Sequence, residues 1–277
     1  MSDESKFEEP IEEQSSDSRI FKFNWYPGHI AKAEKQLREK ISLIDMIIEL
    51  VDARIPQSSS HAGLEEWAGV KPIIRVLSKS DISDQKKNPR GIRVNSKERK
   101  NIGSVINEIE QAAKPINERY QKKGLVNRPF KVMIVCYPNI GKSSLINAIA
   151  KKKKAKVENK PGVTRQQQWI DVQSNINIKL LDTPGIIPTK FNNDDQALKL
   201  AMCSCVSDKA FDSVEVARMA IGLIDQLYPD LLDNHYKIPG FNLEAYAEAN
   251  HAGDLTKTAE HFINDFRNQR FGKISLE

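Results

Sequence analysis

Apolar residues fall into two rhythms along this chain. Short continuous runs at 46–51 (MIIELV), 72–77 (PIIRVL) and 130–136 (FKVMIVC), each bounded by turn residues, have the form of strands buried on both faces of a parallel sheet. Two further strands are predicted at 169–172 and 176–181. Helical spacing occupies the intervals. A charged stretch at 32–40 reads as a solvated helix, and a short helix at 64–68 follows a polar loop at 53–61. In 98–120, Ile102, Val105, Ile106, Ile109 and Ile116 form one stripe that would face a sheet, and Arg128-Pro129 closes that connection. Another helix opens at 142 and runs to 150. Strands alternating with helices predict a doubly wound α/β sheet. Beyond about residue 190 the pattern is all helical. Asp212 with Glu215 reads as a capping box before a helix whose apolar face is Val214, Ala217, Ile221, Ile224 and 227–228. Pro229 stops it, and a last amphipathic helix at 254–266 precedes a turn at Gly272. The organisation expected is therefore a tail at 1–20, an α/β domain at 21–190 and a small all-helical domain at 191–277.

Charge sharpens this division. The 277 residues include 42 basic and 37 acidic side chains, a formal +5. Residues 1–20 hold seven acids against two bases and almost no large apolar side chains, so they read as a disordered acidic tail at −5. The rest carries +10, which suits an anionic partner such as nucleic acid; a solvated lysine face is the plainer alternative. No apolar run approaches the roughly 20 residues that a bilayer span needs. The N-terminus has neither a secretory nor a transit-peptide pattern. Three cysteines cannot build a disulfide framework, and Cys203 and Cys205 read as ordinary helix residues rather than metal ligands. A soluble protein of a reducing, cytoplasmic compartment is expected, with no membrane partner.

The chemistry concentrates in three segments. In CYPNIGKSS (136–144) a strand runs through a loop into a helix. A phosphate cradle needs backbone N–H groups converging at a helix N-terminus, a lysine for the β/γ-phosphates and a hydroxyl for Mg²⁺. Asn139, Ile140, Gly141, Lys142, Ser143 and Ser144 supply these, with Ser143 as the Mg²⁺ hydroxyl. Cys136 stands where the motif has its first Gly, a substitution that a negative φ would tolerate. About forty residues on, LLDTPG (180–185) delivers Asp182 toward Mg²⁺, through a water, and places the Gly185 amide to sense a γ-phosphate. Between them PGVT (161–164) offers Thr164 to complete the Mg²⁺ shell and report the γ-phosphate. Upstream of the phosphate loop, VLSKSD (76–81) resembles the Asn-Lys-x-Asp guanine motif, with Ser78, Lys79 and Asp81, and VNSK (94–97) resembles its companion loop, with Asn95 and Ser96. An aspartate accepts from guanine N1–H and N2–H, which adenine cannot offer.

Base motif first and phosphate loop second is the order of the circularly permuted GTPases. WYPGHIAKA (25–33), VDARIP (51–56), SKSD, YPNIGKSS, PGVTRQQQW (161–169), DTPG and the terminal FGKISLE (271–277) resemble one branch, the bacterial ribosome biogenesis GTPase A family, also called YlqF or RbgA. The resemblance covers about residues 21–277. It implies a permuted P-loop GTPase domain at 21–190 and an RNA-contacting helical domain at 191–277. It further implies a monomer that hydrolyses GTP with Mg²⁺ in late assembly of the large ribosomal subunit, binding rRNA on the precursor particle, which stimulates it. Ile186 stands where Ras-like enzymes carry a water-orienting Gln; by resemblance His29 takes that role, and with Lys142 and Thr164 it makes the expected catalytic set. Asn139 matches an Asn that helps bind K⁺ in related GTPases. Lysines 151–154 and 156, and a second group of Lys122, Lys123 and Arg128, are the candidate RNA contacts. Arg165 beside Thr164 reads as a charge sensor or an rRNA contact.

Two departures oppose the enzyme reading with a scaffold reading. Ser78 lacks the amide with which an Asn bridges the base to the phosphate loop, a loss of about 1–3 kcal/mol. Only thirteen residues separate Asp81 from Asn95, too few for the usual helix between the two base-binding segments. The alternative is a weak or inactive nucleotide-binding protein that acts as an RNA-assembly scaffold.

Overall fold

The computed structural model describes residues 38–125, 128–150, 168–172, 174–183, 185 and 191–277. Its centre is strand β1 (Met46–Asp52), in which seven consecutive residues are buried. That is possible because both sheet faces are covered. Met46, Ile48 and Leu50 point to one face, and Ile47 to the other with Met133 and Val135. β2 (Ile73–Ser78), β3 (Ile92–Arg93), β4 (Phe130–Val135), β5 (Gln168–Val172) and β6 (Ile178–Asp182) complete six strands in the order β3-β2-β1-β4-β6-β5. All neighbours are parallel except β5 and β6.

Helix α1 (Leu64–Ala68) covers the Ile47 face through Leu64 and Ala68. Helices α2 (Ile102–Gln121) and α3 (Lys142–Ile149) cover the other, α2 burying Ile102, Val105, Ile109 and Ala113. The doubly wound α/β expectation is met. β3, only two residues long, is an element that the apolar pattern did not mark.

Helices α4 (Asp194–Met202), α5 (Ser213–Leu227), α6 (Leu231–Tyr236), α7 (Leu243–His251) and α8 (Leu255–Arg267) follow. Side chains of four helix starts receive backbone N–H groups: Asn193, Asp212, Asn242 and Asp254. Asp212 Oδ1 accepts from Val214 and Glu215, while the Glu215 carboxylate pairs with Arg218 at 3.0 Å. Tyr228 ends α5 directly before Pro229, as the pattern predicts. The cysteines are corrected. α4 stops at Met202, Cys203 caps it, and Ser204 takes a positive φ of 61°, so Cys205 lies in a turn beyond the helix. Both thiols are free and buried.

The helical region shares one continuous apolar core with the sheet, extending from Phe130 and Ile134 to Ala217, Phe262 and Phe266. The chain's last residues return to the sheet's loops. The Leu276 amide donates to the Arg54 carbonyl at 2.9 Å, and the Glu277 carboxylate accepts from the amides of Gln57 (2.6 Å) and Ser58 (2.9 Å). No helix among the described residues is long and apolar enough to cross a membrane.

The tail at 1–20 and most of the 32–40 helix lie outside the described residues, as do lysines 151–154 and 156. Asp212→Ala removes the acceptor of two capping hydrogen bonds from α5 and should lower stability by about 1 kcal/mol, read from the urea midpoint.

Candidate functional site

Strand β4 delivers the chain into the loop 136–141. Asn139 (φ 57°) and Gly141 (φ 105°) adopt left-handed backbone, and Gly141 becomes the N-cap of α3. Alternating handedness of this kind turns successive amides inward, toward a common anion. A Cβ at 141 would be strained by that φ. Cys136 has no positive φ, which is why a side chain fits where the motif has Gly. Its thiol is buried, and burial pushes its pKa up to about 11 against the lowering effect of Lys142. Gly185 passes so close that an added Cβ would sit 2.9 Å from Pro138, bringing the β6 turn against the phosphate loop.

Lys142 and Asp182 are both buried and form an ion pair between the first turn of α3 and the end of β6. Thr183 is fixed beside them by donating to the Ile134 carbonyl at 2.7 Å.

The base-motif residues come from the ends of β2 and β3, tied together where Ser80 donates to the Val94 carbonyl at 2.9 Å. Asn95 Oδ1 accepts from the Lys97 and Glu98 amides and shapes its loop. Ser78 is buried and its hydroxyl donates to Val51 O at 3.0 Å, so it makes no bridge to the phosphate loop. Residues 82–91 contain no helix. The Asp84 amide instead donates to Ser275 Oγ and its carboxylate accepts from Tyr228, so the C-terminal segment supports this side.

Asp52 organises the neighbourhood. It is fully buried and accepts from Arg54 N, Nε and Nη2 at 2.8–3.0 Å, with Lys79 Nζ 2.9 Å away. Burial alone would raise its pKa; the Arg54 and Lys79 charges outweigh burial and hold it well below the ordinary 3.8. Arg54 in turn lies 5.3 Å over the Phe266 ring.

One cavity of about 530 Å³ gathers these pieces. Asn139, Ile140, Gly141 and Ser144 line it, as do Ser78, Lys79, Asp81, Asn95 and Ser96. Lys142 and Asp182 meet in their pair, and Ser143 stands beside them in α3. His29, Thr164, Arg165 and Ile186 lie outside the described residues. Arg128 of the second basic group is committed elsewhere: its Nη1 donates to Asp45 at 2.9 Å, and its guanidinium covers the Tyr120 ring at 4.1 Å.

A further cavity wall was not foreseen. Cys203, Ser204, Asn264, Arg267, Asn268 and Gln269 come from the helical region. No local motif marks them, because Arg267 in an amphipathic helix reads as a surface charge. Asp52 and Arg54 sit within the VDARIP segment, but their link to Lys79 depends on the β1–β2 register, which pairs Asp52 with Ser78.

A phosphate loop that follows its base motif in the chain, on a doubly wound sheet, defines a P-loop GTPase of permuted order. The family model "50S ribosome-binding GTPase" matches residues 131–249. Ribosome biogenesis GTPase A of Bacillus pumilus is 34% identical over 276 residues, covering 91% of this chain and 97% of that protein. The Bacillus cereus protein of the same name is 37% identical, covering 91% and 93%. GNP-bound YlqF from T. maritima superposes with a TM-score of 0.59 at 22% identity, covering 89% of this chain and 97% of that one, a likeness of fold. The chain belongs to the ribosome biogenesis GTPase A family, and it is a GTP-binding GTPase.

Asp52→Asn leaves the buried Arg54 and the half-buried Lys79 without their carboxylate and should cost about 3–5 kcal/mol at pH 7. A depressed pKa contributes stability that is complete above 3.8 and is lost as pH falls through the folded value. The gap in urea midpoint between wild type and variant should therefore be widest near neutrality and narrow below pH 3.8.

Proposed function

We propose that this protein hydrolyses GTP during late assembly of the large ribosomal subunit, docking on the precursor through rRNA and leaving after hydrolysis. The observation that carries the reading is the single cavity shared by Gly141 and Ser144 at one end and Asp81 and Ser96 at the other, in a chain with these relatives. Asp81 holds the guanine N1–H and N2–H. Lys79 borders the base, and Ser78, Asn95 and Ser96 shape its loops. The amides of 139–144 hold the β-phosphate, and Gly185 reads the γ-phosphate.

Lys142 exchanges Asp182 for the β/γ-phosphates; Ser143 and Thr164, with the Asp182 carboxylate acting through a water, are the residues that would hold Mg²⁺. A hydroxyl in the first turn of α3 and a carboxylate at the end of β6 are a donor set suited to that ion. Mg²⁺, when bound, neutralises phosphate charge. Asn139 Nδ2 is taken by the Ser204 carbonyl at 2.9 Å, so its Oδ1 is the atom that would face K⁺. His29 orients the attacking water. The +10 of the chain beyond its acidic tail supports rRNA as the anionic partner, with the helical region 191–277 among its contacts. The protein acts as a monomer in the cytoplasm.

The Ser78 hydroxyl, turned to Val51, favours a second reading in which guanine affinity is weak and the protein is chiefly an RNA-assembly scaffold. Turnover of GTP with and without large-subunit precursor, in K⁺ and in Na⁺, separates the two. The enzyme reading expects precursor-stimulated turnover, greater in K⁺, and a His29→Ala variant that binds GTP normally but loses the stimulation. Full stimulated turnover in His29→Ala would remove His29 from the mechanism. No stimulation in wild type would leave the scaffold.

Asp81→Asn replaces an acceptor with a donor opposite the base. GDP affinity should fall by about 100-fold, two charge-assisted hydrogen bonds being lost, while xanthosine diphosphate gains. Calorimetric titration with both nucleotides measures this.

A further inference from the structure

The wall that the helical region gives to the nucleotide cavity is firmly placed. Arg267, in the last turn of α8, donates Nη2 to the Ala201 carbonyl (2.8 Å) and Nε to the Met202 carbonyl (3.2 Å). Its remaining edge grips the Asp208 carboxylate at 2.7 and 3.1 Å. The turn so held carries Ser204, whose carbonyl receives Asn139 of the phosphate loop at 2.9 Å. From the other side the Asp52–Arg54 pair reaches the Phe266 ring. The end of α8 is thus pinned both to the phosphate loop and to the base loop, and the cavity between them is closed by Asn264, Asn268 and Gln269.

The chemistry of this wall favours a neutral, hydroxyl-bearing ligand over phosphate. The C-terminal end of a thirteen-residue helix carries partial negative charge. Arg267, the nearest cation of that helix, is matched by Asp208. Besides Arg267, Cys203 and Ser204, the wall presents the carboxamides of Asn264, Asn268 and Gln269, and among the described residues neither the Asn268 nor the Gln269 side chain has a protein hydrogen-bond partner. A carboxamide both donates and accepts, as a hydroxyl does, and the negative helix end favours a ligand that donates. With phosphates held at Gly141 and Ser144 and the base edge at Asp81, the part of the nucleotide left for this wall is the ribose with its two hydroxyls.

We infer that Asn268 and Gln269 hydrogen-bond the ribose hydroxyls of the bound nucleotide, with Arg267 as the positioning residue. The inference rests on the GTP-binding reading and deepens it. The helical region thereby supplies part of the nucleotide site, on the side where Ser78 makes no bridge and 82–91 lacks a helix.

The test is calorimetric titration of the full chain with GDP, 2′-deoxy-GDP, 3′-deoxy-GDP and ADP, in wild type, Asn268→Ala and Gln269→Gly. Both side chains are exposed, and Gly suits the φ of 61° at 269, so thermal midpoints should be unchanged. Wild type should lose about fivefold in affinity for each hydroxyl removed, the worth of one hydrogen bond. In each variant the penalty for one of the two deoxy nucleotides should fall to near unity, while the preference for GDP over ADP persists. Equal deoxy penalties in wild type and variants, or none in wild type, overturn the inference while guanine binding stands. Absence of guanine-nucleotide binding in wild type overturns the underlying reading and this inference with it.

Discussion

A single buried carboxylate, Asp52, sets the geometry on which this molecule depends. Placed at the end of β1 with no solvent contact, it is tolerable only because Arg54 and Lys79 both approach it. Each partner then fixes something else. Lys79, at a positive φ of 54°, opens the turn that carries Asp81. Arg54 spreads over Phe266 of α8 and offers its carbonyl to Leu276. The base loop, the last helix and the chain's final residues are therefore referenced to one atom group. A buried ion cluster of this kind contributes less to stability than a hydrophobic replacement of the same shape would. Its role here is geometric.

The phosphate end obeys a complementary rule. Lys142 and Asp182 neutralise each other across α3 and β6, so neither charge is buried alone. In the proposed mechanism, nucleotide binding exchanges partners rather than creating bare charges. Gly185 packs against Pro138, so the β6 turn lies directly on the phosphate loop. The two ends differ in kind, one locked and one poised for exchange.

Contiguous features were legible in the sequence because their physics is local. Parallel strands buried on both faces must be apolar runs, so β1, β2 and β4 stood out. A strand that runs through a Gly-bearing loop into a helix start is a property of one short segment, so the arrangement at 136–144 stood out. Features decided by tertiary packing did not. β3 is two residues long and exists through its pairing with Val76 and Leu77. Cys205 read as helical because nothing local ends α4 at Met202; Arg267, sixty-odd residues away, takes the carbonyls of Ala201 and Met202 instead. That Asn268 and Gln269 line the nucleotide cavity depends on where α8 docks, which the pattern of that helix leaves open.

The central claim is that the nucleotide site is built jointly by the sheet's loops and the helical region, with Asp52 as the reference between them. Native-state hydrogen exchange of the full chain, with and without saturating GDP, tests it most directly. The account predicts that GDP slows exchange at the turn 201–206 and the last turn of α8 together with the loops at 78–81, 94–97 and 136–144. Protection confined to the three sheet loops, with the helical region unchanged, would contradict it.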